Sequence, residues 1–237
     1  LQHDINVKAK YSWTLIFAIM ILIFSAICSE TIVKAESTTR DNKKTILIDA
    51  GHGGYDGGAE GKSGIKEKDI NLQISLKLKE KLSKNGYNII MIRDEDKDLL
   101  EGKKRGGSKK AEDLANRCKI KEKSDIDMFI SIHQNHFPQG QYYGAQVWYS
   151  DFKESKLLAH IMQENFRIDL DKNNKRVEKP AKDNYKILRC NDQMPSVIVE
   201  CGFLSNTEEE IRLKDEKYQE KIVDSLVKSI NSYFEED

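Results

Sequence analysis

Two rhythms of apolar residues alternate along this chain from Lys44 onward. Thr45-Ile-Leu-Ile-Asp49 is a short apolar run ending in a glycine-rich turn, the pattern of a buried strand. Residues 67–84 then place Ile70, Ile74, Leu78 and Leu82 four apart, with Leu72 and Leu76 alongside, and stop at Asn85-Gly86. That spacing predicts an amphipathic helix with a C-terminal stop signal. Asn88 to Arg93 reads as a second strand, 94–110 as a charged, glycine-bearing loop and 111–123 as a helix. Met128 to Ile132 and Ala145 to Tyr149 read as the third and fourth strands, and 152–168 as a helix before a lysine- and asparagine-rich loop. Tyr185 to Leu188 and Ser196 to Glu200 read as two further strands, and helices near 206–213 and 216–234 follow. Strands separated by helices imply an α/β fold. The expected architecture is one domain over residues 42–237, a mostly parallel twisted sheet of about six strands with helices on both faces.

The N-terminal part breaks this pattern. Trp13 to Cys28 (WTLIFAIMILIFSAIC) carries no charge, and Lys8 and Lys10 precede it. The run is short for a bilayer span of about 20 residues and close to a long signal-peptide core. Val33-Lys34-Ala35 suits cleavage after Ala35, so residues 1–35 read as a signal peptide or an uncleaved membrane anchor, with residues 29–43 as a polar linker. Lipid attachment at Cys28 is disfavoured by the bulk of Ile27. In either reading the remainder of the chain is expected outside the cytoplasmic membrane.

Composition then narrows the classes. Across 237 residues, 39 basic side chains balance 39 acidic ones, which excludes a strongly basic nucleic-acid binder. Only three prolines and 14 glycines exclude a low-complexity chain. Removing residues 1–35 takes away three basic and two acidic residues, so the exported part stays within one charge of neutral. Its cysteines, Cys118, Cys190 and Cys201, lack CxxC spacing and support neither a disulfide framework nor a structural zinc knuckle.

The chemistry gathers at strand ends, where open α/β sheets bind ligands. The first strand runs into Asp49-Ala-Gly-His52-Gly-Gly-Tyr-Asp-Gly-Gly58, the third ends in Ser131-Ile-His133-Gln-Asn135 and the last in Val199-Glu200-Cys201-Gly-Phe203. Glu67 opens the first helix near the same edge. Two imidazoles and a carboxylate form the ligand set of a catalytic zinc site with an open position. A further carboxylate that is not a ligand is then needed to accept and return a proton, and Glu200 suits that role. A glycine-rich turn also cradles phosphate or simply turns the chain, but GxxxxGK(S/T) and a well-placed GxGxxG are both missing. No HExxH occurs either. His136 and His160 read as structural or solvated. Spacing by itself leaves the zinc site and the plain turn both open.

A resemblance tips the balance. Ile46-Leu-Ile-Asp-Ala-Gly-His-Gly-Gly54, the helix start Glu67-Lys-Asp69 with Asn71-Leu72, Phe129-Ile-Ser-Ile-His-Gln-Asn135 and Pro195-Ser-Val-Ile-Val-Glu-Cys-Gly-Phe-Leu-Ser-Asn206 resemble the zinc-dependent N-acetylmuramoyl-L-alanine amidases of bacterial walls. The likeness runs from about Lys44 to Phe234, with four motifs in order. It implies zinc ligation by His52, Glu67 and His133 and a catalytic Glu200, with Asn135 as a substrate-binding residue. It also implies a peptidoglycan substrate, cleaved at the amide between the lactyl group of muramic acid and the first L-alanine of the stem peptide. Two positions depart from the family: Gly57 replaces a common proline, and Lys121-Glu122 replaces an Ala-Asn pair, putting the hydrogen bond of that asparagine in doubt. A bare catalytic domain with ECGFLSN is similar to the spore-cortex amidases of endospore formers, whose cleavage leads towards muramic-δ-lactam and germination.

Several features stand beside this reading. Gly102 to Lys110 carries five basic residues and reads as a solvated loop or a wall contact. Cys201 follows Glu200 in a strand, so its side chain is expected on the opposite face, in the core. Tyr142, Tyr143, Trp148 and Tyr149 read as core or as the lining of a glycan groove. Without wall-binding repeats, the domain is expected to rely on its membrane segment or on a partner protein for localisation or activation. The rival readings are a zinc peptidase cutting within the stem peptide and a catalytically silent wall-binding homologue.

Overall fold

The structure, a computed structural model, describes residues 43–101 and 108–235. The expected signal or anchor segment and most of the basic loop at 102–107 lie outside the described residues. No described helix is long and apolar enough to cross a membrane.

Six strands form one sheet: β1 (Thr45–Ala50), β2 (Asn88–Met91), β3 (Met128–Asn135), β4 (Gln146–Tyr149), β5 (Lys179–Pro180) and β6 (Ser196–Phe203). Their order is β2-β1-β3-β6-β4-β5, parallel from β2 through β6, with β4 antiparallel to β6 and parallel to β5. The helices are α1 (Glu67–Lys84), α2 (Lys109–Lys123), α3 (Ser155–Asp169), α4 (Lys186–Arg189), α5 (Thr207–Lys214) and α6 (Glu216–Glu235).

Side-chain alternation assigns the two faces. Val197, Val199 and Cys201 of β6 join Met128, Ile130 and Ile132 of β3 in a core covered by α1, α3 and α6, which supply Ile70, Leu78, Leu158, Met162 and Ile222. Cys201 therefore packs in the core, as the strand period requires. Leu47, Phe129 and Ile198 point the other way, into a smaller cluster with Cys118 of α2 and Ile187 and Leu188 of α4. Asp49, Ser131, His133 and Glu200 have the same parity as that second set. They lie at the carboxyl ends of three adjacent central strands, on the α2 and α4 side.

One expected strand is a helix. Lys186 to Leu188 lie in the single turn α4, and Tyr185 caps its start, so the segment is not a strand. Ile187 and Leu188 are both buried in one cluster, whereas a strand would send neighbouring side chains to opposite faces. The sixth strand is instead the two-residue β5, which pairs with β4 at the sheet edge, where a proline is tolerated. The substituted pair on α2 also finds a place. Lys121 is fully buried, donates to the Ile187 carbonyl at 3.1 Å and lies 4.6 Å over the Phe129 ring, while Glu122 is exposed. A lysine thus ties α2 to α4.

Candidate metal and catalytic site

His52 occupies the turn after β1 with φ of 62°, a left-handed conformation unusual for a residue with a Cβ. Two buried arginines hold the carbonyls around it. Arg117 donates to the His52 carbonyl at 2.6 Å and the Ala50 carbonyl at 3.1 Å, and Arg93 donates to Ala50 at 2.7 Å and Gly51 at 3.0 Å. Arg117 also pairs with Asp49 at 2.5 Å and Asp113 at 2.6 Å. Ser131 donates to the second oxygen of Asp49 at 2.7 Å. Burial would raise the Asp49 carboxyl, but Arg117, with help from His133 and Ser131, leaves it below the usual carboxylate range.

The turn places the His52 ring edge-on to His133, with centroids 5.0 Å apart. Glu67, only 4% exposed, lies between them: Oε2 is 3.2 Å from His52 Nε2 and Oε1 is 2.9 Å from His133 Nδ1. One ligand atom from each of the three residues lies within 4.8 Å of the others. The backbone N–H groups of Ala59 and Gln134 donate to Glu67 at 2.9 and 3.1 Å, and Asn71, one helical turn on, donates at 3.3 Å. Burial opposes ionisation of Glu67, yet its bonds to both histidines hold it well below the usual range. The same carboxylate raises His133 against the pull of burial. Asp56 accepts from His52 Nδ1 at 2.9 Å, leaving Nε2 turned towards Glu67. This carboxylate–imidazole arrangement is the outer support of many metal ligands.

Glu200 stands directly beside His133 in the β3–β6 register. It is 7% exposed, and its Oε2 has no hydrogen-bond partner. Burial pushes its carboxyl up to about 7. Just beyond it the register slips by one residue, because Asn135 pairs with Phe203. Bulges of this kind often re-aim side chains beside a site.

These residues open into a cleft of about 480 Å³, lined also by Asn135, His136, Lys110, Tyr185 and Lys186. Sequence reasoning named His52, Glu67, His133 and Glu200, and the fold brings all four together. Asn135 is at the cleft wall. His160 lies elsewhere, on α3, paired with Glu178 at 3.2 Å. Asp56, Arg117 and Tyr185 were not anticipated. Asp56, four residues after His52, was the one within reach of a spacing argument.

The donor set fits a zinc ion: two imidazole nitrogens, one buried carboxylate and an unligated carboxyl alongside. Residues 46–232 match the family described as N-acetylmuramoyl-L-alanine amidase. The chain is 38% identical over 195 residues to the germination-specific N-acetylmuramoyl-L-alanine amidase of Bacillus subtilis, covering 81% of each. Its fold is similar to that of the CwlD amidase of Clostridioides difficile, solved in complex with the GerS lipoprotein. Here identity is 44% and TM-score 0.79, with 82% of this chain and 100% of that one covered. It is also similar to an N-acetylmuramoyl-L-alanine amidase of Clostridium difficile 630, with 32% identity, TM-score 0.71 and coverage of 82% and 98%.

Proposed function

Since the chain belongs to the N-acetylmuramoyl-L-alanine amidase family, we propose that His52, Glu67 and His133 hold a zinc ion and that Glu200 carries the proton during amide hydrolysis. The bond cleaved joins the lactyl carbonyl of N-acetylmuramic acid to the amine of the first L-alanine of the stem peptide. The observation that carries the assignment is the unpaired, buried carboxyl of Glu200 beside a three-residue ligand set at one sheet end.

Zinc, when bound, supplies Lewis acidity, polarising a carbonyl oxygen and lowering the pKa of water to about 7. The chain supplies the rest. Asp56 and Arg117 fix the ring and backbone of His52. Gln134 N–H, Ala59 N–H and Asn71 orient Glu67. Glu200, with its carboxyl near neutrality, takes a proton from the attacking water and returns it to the departing alanine amine. Asn135 at the wall is a substrate contact.

Likeness to the germination-specific enzyme of Bacillus subtilis supports action in the spore cortex, as a step towards muramic-δ-lactam. The uncharged run at Trp13 to Cys28 is the export signal or anchor that delivers the domain at 42–237 outside the membrane. The lipoprotein complex of the Clostridioides difficile relative supports a localising or activating partner here as well. The test is metal content and muropeptide products for the wild type and Glu200→Ala. The expected result is about one zinc per chain in both, with product lost in the variant by roughly 100- to 10,000-fold. Unchanged turnover in Glu200→Ala would sink the mechanism.

A further inference from the structure

We propose that Phe137 and Tyr142, followed by Tyr143, form the subsite for the pyranose ring of the glycan strand next to the scissile amide. The proposal rests on the amidase reading and adds to it a place for the sugar.

Four large aromatic residues are exposed among the described residues, namely Tyr55, Phe137, Tyr142 and Tyr143, at 40–48%. Three of them fall in the one loop that leaves β3. That loop starts at the cleft itself, since Asn135 and His136 line it and Phe137 comes next. The rings of Phe137 and Tyr142 meet edge to face at 5.1 Å, and Tyr142 lies 6.3 Å from the buried ring of Phe203 at the end of β6.

The loop is built to hold these rings out. Phe137 N–H donates to Ser205 Oγ at 3.0 Å, and a Cβ on Gly140 would come within 2.9 Å of the Ser205 carbonyl. Gly144, with φ of +93°, donates to both oxygens of the buried Glu209, and Arg176 donates to the Tyr143 carbonyl at 2.7 Å. Fixed aromatic rings left in water beside a reaction centre mark a binding surface. They present a flat apolar face to a ligand with an apolar face of its own, and ring fixing lowers the ordering cost.

Substrate chemistry selects the occupant. The lactyl group joins the scissile carbonyl directly to the sugar ring, so a pyranose must lie within one lactyl length of the cleft. The stem peptide, on the other side of the bond, carries carboxylates. The cleft wall contributed by α2 and α4 carries Lys110 and Lys186, which suits the peptide. N-acetylated sugars are uncharged and suit the aromatic rings of the loop that begins one residue past the cleft lining.

The experiment compares two substrates, a muropeptide retaining its disaccharide and a lactoyl peptide lacking any sugar. For Phe137→Ala/Tyr142→Ala, the ratio of kcat/KM for the first over the second is expected to fall about tenfold through KM. Tyr142→Trp should retain the preference. An independent measurement is saturation transfer from aromatic protons of the intact protein to an N-acetylglucosamine oligomer, expected in the wild type and reduced in the double variant. An unchanged ratio, or absence of transfer in the wild type, would overturn the subsite. So would unchanged selectivity with loss of binding to a lipid-anchored protein, which would make the surface a protein interface. A zinc-loaded wild type that cleaves neither substrate, both when purified and in extracts of the cells that make it, would instead overturn the amidase reading itself.

Discussion

Replacing Arg117 with methionine isolates the support beneath the turn that carries His52, a proposed metal ligand. The side chain is 4% exposed and donates to Asp49, Asp113 and the carbonyls of Ala50 and His52. Methionine fills much of the volume and removes every donor. Among the described residues, the side chain of Asp49, 2% exposed, then keeps Ser131 alone as a hydrogen-bond partner. Leaving one member of a buried ion pair without its partner costs about 3–5 kcal/mol. For a domain of this size that lowers Tm by roughly 10 °C. The pH dependence identifies the cause. In the wild type Asp49 is held below the usual carboxylate range, so it contributes stability that is present at neutral pH and lost as pH falls through its folded-state value. In Arg117→Met, burial without the guanidinium raises the same carboxyl above its unfolded value. The native variant therefore binds the proton more tightly, and its stability grows as pH drops from neutral towards about 4. Urea unfolding at pH 7 and pH 5, with zinc held constant, should show a deficit that shrinks in acid. Asp49→Asn in the same chain should recover much of it. A deficit below about 1 kcal/mol at pH 7, or one unchanged at pH 5, would refute the reasoning.

Two further outcomes follow from the same geometry. Asp56→Ala removes the acceptor of His52 Nδ1 and should weaken zinc binding about 10- to 100-fold, measured by competition with a chromophoric chelator, while the fold persists. Gly51→Ala would put a methyl group onto the His133 ring, so that ring must leave its position. Zinc should then be lost on gel filtration although circular dichroism stays near that of the wild type.

The central strands and the first helix were legible because their apolar periods are unambiguous, and the motifs at their ends fell on the predicted side of the sheet. The short segments were not. Tyr185 to Leu188 is four residues with two adjacent apolar side chains, and a run that short does not distinguish a strand from one helical turn. Lys179–Pro180 offers no apolar signal at all, because its pairing is an edge matter of backbone alone. Of the site, the ligand types were visible and their supports were not. Arg117 lies 65 residues from the carbonyl it holds, and only the β1–β3 pairing and the docking of α2 bring them together.

The register slip after Glu200 divides the site between two strand pairings. His52, Glu67 and His133 all belong to the part of the chain ending at β3, whereas Glu200 stands on β6, which pairs against β3 and absorbs an extra residue. A change that loosens the β3–β6 ladder would therefore part the proposed proton carrier from His133, while the β1–β3 pairing keeps the strands that carry the two proposed histidine ligands side by side.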